Sequence, residues 1–410
     1  MARYEFVEIA RVVSRVAVLG GGIMGTATAL FLARRGVQVV VIDAAARPMD
    51  RASRWNEGKI HLGYLYAGDP SLDTARRVLP GGLTFKPLVE SLISHALDDV
   101  TTTHDDTFLI HCNSVVDLET TGRYFDAVTQ LVGAHPHRDR YLVPLDSPSI
   151  QRLSKAELNH LADPTVVVGG FRVPERSVET TWVADRLAAA LGAEPGIELR
   201  MGTRVTGVDR DDVDRFAIRT NEGIDGPFDA VVNALWEGRL AIDATMGVPP
   251  PRNWSHRYRV AAFVRTDRVI DVPSAVICTG PFGDVKNYDG RNFYLSWYPT
   301  GLLIDSSSLA PAAPSHLEAA SREQLATTML TELAARIPRV HEIAARMVSC
   351  HVEGGWVYAA GTGSLADAAS TLHRRDRIGA SADGRYISVD TGKYSIAPWL
   401  AQQIASDLTT

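Results

Sequence analysis

Gly20, Gly22 and Gly25 stand in G-x-G-x-x-G spacing directly after the apolar run Val16–Leu19, and Asp43 follows 18 residues after the last of them. Each position has a chemical use. Gly20 permits a tight turn out of a strand. Gly22 has no Cβ, so a pyrophosphate can approach the backbone. Gly25 lets the following helix pack close to the sheet. A helix starting there offers unpaired N–H groups and the positive end of its dipole to phosphates. Asp43 can accept hydrogen bonds from a ribose hydroxyl pair. The pattern points to a bound dinucleotide and leaves NAD or FAD open.

Other reactive side chains are spread along the chain. After Asp43 comes a long irregular stretch rich in Gly, Ser, Asn, Arg and aromatics. Its Arg51, Ser53, Arg54, Asn56 and Lys59, with backbone N–H groups around Gly58, could meet a phosphate or a ring system. The chain has five lysines against 37 arginines. A positive charge beside a redox ring stabilises its reduced anion. Phe293–Tyr298 alternates, with Tyr294, Ser296 and Tyr298 on one face. That face either lines a cavity or forms the solvated side of an antiparallel sheet. Arg257, Arg259 and Arg291 are candidates for bidentate capture of a carboxylate. His135 and His137 form an H-x-H pair with no further ligand at metal spacing, so no metal site is expected.

The elements that hold these residues follow from periodicity. Val16–Leu19 and Val37–Ile42 read as buried strands flanking a helix over Thr26–Arg35, which Gly36 stops. Leu83–Leu97, Gly122–Val132, Lys155–Leu161, Thr181–Leu191, Pro314–Ile337 and Ser395–Asp407 read as helices. Thr107–His111, Val166–Val173, Ile197–Met201, Arg204–Val208, Phe216–Arg219 and Phe228–Ala234 read as strands. The mostly apolar run Ala230–Trp236 suits the centre of a parallel sheet. From Tyr258–Arg265 and Ala275–Cys278 onward, strands crowd together between short turns. Pro311–Pro314 reads as a surface loop. Tyr386–Asp390, a Thr391-Gly392-Lys393 turn and the final helix repeat the strand–glycine–helix logic of the opening.

The 410 residues suffice for two domains, and 45% hydrophobic with 22% charged content is that of a soluble globular protein. A net charge of −6 argues against a nucleic-acid surface. Cys112, Cys278 and Cys350 are far apart and show no C-x-x-C spacing, which fits a reducing compartment. The first 13 residues lack an apolar core of signal-peptide length, and no window approaches 18 uninterrupted apolar residues. The expectation is a cytoplasmic protein with no membrane span.

The opening motif, Arg51–Gly63 (RASRWNEGKIHLG), the Ala230–Trp236 strand and Gly384–Pro398 (GRYISVDTGKYSIAP) occur in one order. That order resembles the FAD-dependent D-amino-acid oxidase-like family of glycine oxidases, sarcosine oxidases and glycerol-3-phosphate dehydrogenases. The resemblance implies an α/β fold: a Rossmann-like FAD-binding domain with an inserted α+β substrate domain on an antiparallel sheet. The implied division is 1–100, 173–237 and 355–410 for the FAD domain, with 101–172 and 238–354 for the substrate domain. By the same resemblance Gly20, Gly22 and Gly25, with Ile23 and Met24 between them, cradle the FAD pyrophosphate, and Asp43 holds the ribose. Ser53, Arg54, Asn56, Gly58, Lys59, Ile60 and His61 approach the pyrophosphate or flavin, His61 as a hydrogen-bonding residue or a covalent attachment point. Val205 lies by the adenine through its backbone. Ala234, Trp236, Gly392 and Lys393 complete the cofactor set. Two features depart from the family pattern. Leu235-Trp236-Glu237-Gly238-Arg239 replaces a Gly-rich turn, and Thr391-Gly392-Lys393 replaces a more Gly-rich loop.

The leading functional expectation is oxidation of a C–N bond in an amine or amino acid, with hydride passing to the flavin. Tyr294, Tyr298, Arg291 and Arg257 are the candidate catalytic residues. The alternatives are C–O oxidation of a hydroxy acid or polyol phosphate, and a dinucleotide-binding protein without turnover. The partner is a small-molecule substrate, and the electron acceptor is O2 or another carrier.

Overall fold

The computed structural model describes residues 13–314 and 318–410. The signal-peptide reading falls almost wholly on residues 1–12, and the start of the expected Pro314–Ile337 helix falls on 315–317. Both lie outside the described residues. The helix there spans Ala319–Ala334.

Apolar runs buried on both faces build the four inner strands of the first sheet, and more exposed strands form its edges. Its order is Gly379–Asp383, Tyr386–Asp390, Ala230–Asn233, Arg15–Leu19, Gln38–Asp43 and Ile197–Met201. All neighbours are parallel except the Gly379–Asp383 edge. Val16 pairs with Val39 on one side and Ala230 on the other, so the expected central strands are central. The helix Ile23–Ala33 starts directly after Gly22, three residues ahead of Thr26, and everything from Ile23 to Leu32 is buried. Helices Asp73–Ile93, Thr180–Ala193 and Ala397–Thr409 pack on it.

The helix expected over Leu83–Leu97 begins ten residues earlier, at Asp73. Gly81-Gly82 reads as a breaker, but these glycines serve close packing: a Cβ on Gly82 would lie 2.0 Å from the His61 carbonyl oxygen. The strand expected over Ala230–Trp236 ends at Asn233. The Asn233 amide donates to the Arg239 carbonyl (3.0 Å) and Asp243 Oδ1 (2.8 Å), which turns the chain into a short 3-10 segment at Trp236–Gly238. Val205–Arg210, Phe216–Thr220 and Gly223–Phe228 form a small antiparallel sheet. Its third strand carries Pro227 at an edge, where a missing N–H costs nothing.

The second sheet has nine strands arranged around the long strand Trp254–Thr266. Met347–Ala360 pairs along one side of it. Leu302–Ser306 and Asn292–Trp297 pair along the other. Alternation divides its faces. Val260, Ala262, Val264, Leu295 and Trp297 bury themselves against Met329, Leu330 and Leu333 of the Ala319–Ala334 helix. The opposite face carries Arg257, Arg259, Ala261 and Tyr294 toward the first sheet. The hydroxyl face of Phe293–Tyr298 is therefore buried, not solvated: Tyr294 is 5% exposed and Ser296 is fully buried.

Between the sheets lies a buried ion cluster. Lys286 Nζ donates to Asp106 Oδ1 and Oδ2 (2.7 and 2.8 Å), and Lys59 Nζ binds Asp106 and stands 3.5 Å from Glu175. All four side chains are at most 2% exposed. Burial alone would push the Asp106 carboxyl up, but Lys286 and Lys59 overrule it and hold it below the usual carboxylate range. Burial lowers Lys286 and raises Glu175. Removing one partner leaves uncompensated charge in the interior, so Asp106→Asn is expected to destabilise the fold by about 3–5 kcal/mol in denaturant titrations. A change below about 1 kcal/mol, the range of an exposed pair, would show that the cluster contributes no more than one.

Candidate cofactor and substrate site

A cavity of about 840 Å³ opens at the carboxyl ends of the strands Arg15–Leu19 and Ala230–Asn233, where crossovers leave an open α/β sheet in opposite directions. Gly20 adopts φ +105°, and a Cβ there would lie 2.6 Å from the Ala234 carbonyl oxygen. A Cβ on Gly25 would lie 1.8 Å from the Gly20 carbonyl oxygen, so the helix begins hard against the strand end. Gly25 itself packs behind the cavity wall, while Gly20, Gly22, Ile23 and Met24 line it. The Ile23 N–H donates to Ser53 Oγ (2.9 Å). The Gly22 and Met24 N–H groups have no acceptor among the described residues. Asp43 accepts from the N–H groups of Gly21 (2.6 Å) and Ala45 (2.7 Å), and this fixes its carboxylate at the cavity edge with lone pairs to spare.

These features fit a dinucleotide. Two helix N–H groups await an acceptor, and a Cβ at Gly22 would come within 2.9 Å of Ser53 Oγ and begin to fill the cradle between them. Val205 lines the cavity between Arg204 and Thr206, and Ala234 and Trp236 line it from the turn that follows the central strand. Trp236 is pinned by its indole N–H, which donates to the Trp356 carbonyl (2.7 Å). Asn56, Lys59, His61, Gly392 and Lys393 complete the wall.

Several expected residues do other work. Arg54 turns away to Asp185 (2.7 Å). The Gly58 N–H is taken by Asn56 Oδ1 (2.8 Å) and is not offered to a ligand. Ile60 is a core residue whose carbonyl accepts from the Tyr141 hydroxyl (2.8 Å). Lys59 touches the cavity, but its ammonium belongs to the ion cluster. Arg291 lies on an exposed turn and donates to the Asp267 carbonyl (3.2 Å), outside the site. The Pro311–Pro314 loop, expected as plain surface, lines the cavity with Pro311, Ala312 and Ala313. Prolines bar helix and sheet there but do not say what the loop covers. His135 and His137 are a ring pair 5.6 Å apart, and among the described residues no group of three or more His, Cys, Asp or Glu is placed to hold a metal ion.

Arg259, Ala261 and Tyr294 form the roof. Tyr298 sits between two guanidinium groups. Its hydroxyl accepts from Arg257 (3.0 Å), and Arg259 lies over its ring at 4.5 Å. Sequence reasoning missed Glu57, Tyr66, Trp356 and Arg375. Glu57 and Tyr66 lie in or beside the Arg51–Gly63 stretch, whose irregular chain carries no period to mark them, and Trp356 and Arg375 reach this place only through long-range pairing.

The electrostatics are uneven. Burial, then Lys393, holds the His61 imidazole well below its usual range, and its Nδ1 is buried without a partner. Burial pushes the Tyr66 phenol well up, and its hydroxyl also lacks a partner. Burial and the charge of Arg375 bring the Lys393 ammonium down to about 7, with Arg257 and Arg259 adding to the effect and Glu57 opposing it. Glu57 stays below its usual range despite burial, because Lys393, Arg259 and Lys59 face it.

Residues 15–367 match the sequence model of a family described as FAD-dependent oxidoreductase (DAO). Glycine oxidase from Geobacillus kaustophilus superimposes with a TM-score of 0.67 at 16% identity, covering 97% of this chain and 95% of that one. L-α-glycerophosphate oxidase from Mycoplasma pneumoniae, described with FAD bound, gives 0.64 at 15% identity, covering 97% and 95%. NikD, described as an unusual amino acid oxidase essential for nikkomycin biosynthesis, gives 0.65 at 15% identity, covering 97% and 94%. At these identities the likeness to the three structures is one of fold.

Proposed function

The chain belongs to the FAD-dependent oxidoreductase family, and from that premise we propose that it oxidises the C–N bond of an amine or amino acid. FAD, when bound, supplies the acceptor for the hydride that leaves the substrate carbon. The reading divides the chain into cofactor-holding residues 1–100, 173–237 and 355–410 and substrate-covering residues 101–172 and 238–354.

The observation that carries the reading is Lys393. Its ammonium has no ion-pair partner among the described residues, and burial with three nearby guanidinium groups brings it to about 7. An amine gives up hydride from carbon only after its nitrogen has lost the ammonium proton. Arg257, Arg259 and Arg375 penalise a cationic amine for the same reason that they penalise Lys393. The substrate nitrogen therefore binds with a weakened hold on its proton, and neutral Lys393 Nζ accepts it. Arg259 orients a substrate carboxylate beneath the roof. The balance is then complete: the nitrogen loses a proton to Lys393, the C–H bond loses hydride, and the resulting iminium cation adds water to give a carbonyl compound and an ammonium ion.

A second reading has support of its own. The gathering of cations around Lys393 also suits a hydroxy acid or polyol phosphate oxidised at C–O. The purified protein is expected to be yellow, with flavin absorbance near about 450 nm. Anaerobic addition of amines and amino acids should bleach it. Bleaching by hydroxy compounds alone would overturn the C–N reading in favour of the second. Admitting air to the bleached enzyme then tests O2 as the acceptor.

The protonation step predicts a pH profile. Only neutral Lys393 accepts a proton, so kcat/KM should rise with pH through about 7 and level off above it. The groups facing this ammonium are Arg257, Arg259, Arg375, Glu57, His61 and Tyr66. Lys393→Met should remove that limb and lower kcat by about 10²-fold, the ordinary scale of general-base catalysis. A limb unchanged in the variant would assign the proton acceptor elsewhere.

A further inference from the structure

Four cations converge beside the cavity with too little negative charge to balance them. Arg257 and Arg259 project from one face of the same strand, two residues apart. Tyr298 stands between them, and the Nε atoms of both are buried without a partner. Arg375 comes from the far side, on the segment that leads into the last strands of the first sheet. It is 9% exposed. One of its terminal nitrogens donates to the carbonyls of Leu372 (2.7 Å) and Arg374 (2.6 Å), and its Nε has no partner. Lys393 lies 5.7 Å from the centre of the Tyr66 ring. Arg375 and Arg257 are close enough that the charge of Arg257 adds to burial in lowering Arg375.

The carboxylates that bear on this group are Glu57 and Asp390. Asp243 is already engaged by Arg239, and Asp106 and Glu175 by Lys59. Counting Glu57 and Asp390 both as charged, one positive charge stays unbalanced when Lys393 is neutral and two when it is protonated. Uncompensated charge in the interior costs several kcal/mol per ion. Such an arrangement is stable in use only when a ligand brings the missing charge, and electrostatically strained clusters of this kind mark functional sites.

We propose that the substrate oxidised here carries two anionic groups, one met by the Arg257 and Arg259 pair that flanks Tyr298 and the second by Arg375, with the reacting carbon between them. The proposal rests on the oxidoreductase reading above and narrows its substrate class to an amine or hydroxy compound that bears two carboxylates, or a carboxylate and a phosphate. Arg375 also lines a second cavity of about 620 Å³, where six arginines stand against the three carboxylates Asp243, Asp376 and Asp390. A net excess of positive charge concentrates anions beside Arg375.

Binding of non-reacting anions to the flavin-loaded enzyme tests this apart from turnover. Calorimetry would compare succinate and glutarate with butyrate and valerate, and 3-phosphonopropionate with propionate. The two-anion member of each pair is expected to bind at least about 30-fold tighter, the effect of one added charge-assisted contact. A tight dicarboxylate with a weak phosphonate would make the second group a carboxylate, and the reverse would make it a phosphate. Arg375→Met should bring the ratio within about threefold, and Arg375→Lys should restore part of it, with flavin content and thermal midpoint as folding controls. Equal binding of one- and two-anion compounds to the wild type overturns the proposal. Anaerobic bleaching with the matching amines separates the two readings. If two-anion compounds bind tightly yet no amine bleaches the flavin, the C–N reading fails and the charge assignment stands. If single-anion amines bleach it as readily as two-anion amines, the charge assignment fails and the C–N reading stands.

Discussion

Gly22→Val yields a protein that folds but is colourless after purification, with a flavin-to-protein ratio below about one in twenty, because the branched chain occupies the pyrophosphate cradle. The change is local. The Gly22 backbone is extended, at φ −73° and ψ −178°, so valine fits its conformation without strain. Its Cβ meets Ser53 Oγ at 2.9 Å, the movable end of a small side chain. The fold therefore survives, while the γ-carbons fill the space before the free Gly22 and Met24 N–H groups. Absorbance, flavin content after denaturation and a near-native circular dichroism spectrum read the result together. A yellow, active Gly22→Val protein would place the pyrophosphate elsewhere. Gly25→Ala is the contrasting variant. Its Cβ would lie 1.8 Å from a backbone oxygen, so it should fail in folding before it fails in binding.

Arg259→Met is expected to lower kcat/KM for a carboxylate-bearing substrate by about 10²–10³-fold, mostly through KM. This is the scale for truncating one partner of a buried charge pair. Methionine keeps an unbranched stem and removes the guanidinium, with both its donors and its stacking over the Tyr298 ring. An uncharged amine is the control, since it never used the guanidinium and should lose little. An equal loss for charged and uncharged substrates would mean that Arg259 shapes the roof and does not bind the substrate.

The parts of the site legible in the sequence are those whose meaning is local. Gly20, Gly22, Gly25 and Asp43 lie within one strand–helix–strand unit, so spacing alone placed them around one turn. Phe293–Tyr298 revealed its two faces through a period of two, although only the structure shows that both are buried. Arg54, Gly58 and Ile60 misled because irregular chain has no period: Arg54 and Asn56 sit two residues apart, yet one turns to Asp185 and the other to the cavity. Arg291 misled because residue type says nothing of where a hairpin ends. Arg375 was hidden for a further reason. Its environment is made by Arg257 and Tyr298 of the other sheet, and no segment near it in sequence contains them. The helix start at Asp73 was lost to the rule that paired glycines break helices, which fails when a neighbouring backbone needs the space.

The order of strands in the first sheet has a consequence for how the protein is made. The Arg15–Leu19 strand leaves the ribosome early, but the Tyr386–Asp390 strand that extends its sheet, and the Gly392-Lys393 turn of its cavity, emerge hundreds of residues later. Throughout that interval the sheet has an open edge and the cofactor cavity lacks a wall. The nine-stranded sheet, encoded between the two, can pair all of its strands before the older one is finished. The Gly20–Asp43 motif is thus made long before its cavity has all its walls, and capture of the cofactor waits for the Tyr386–Lys393 segment.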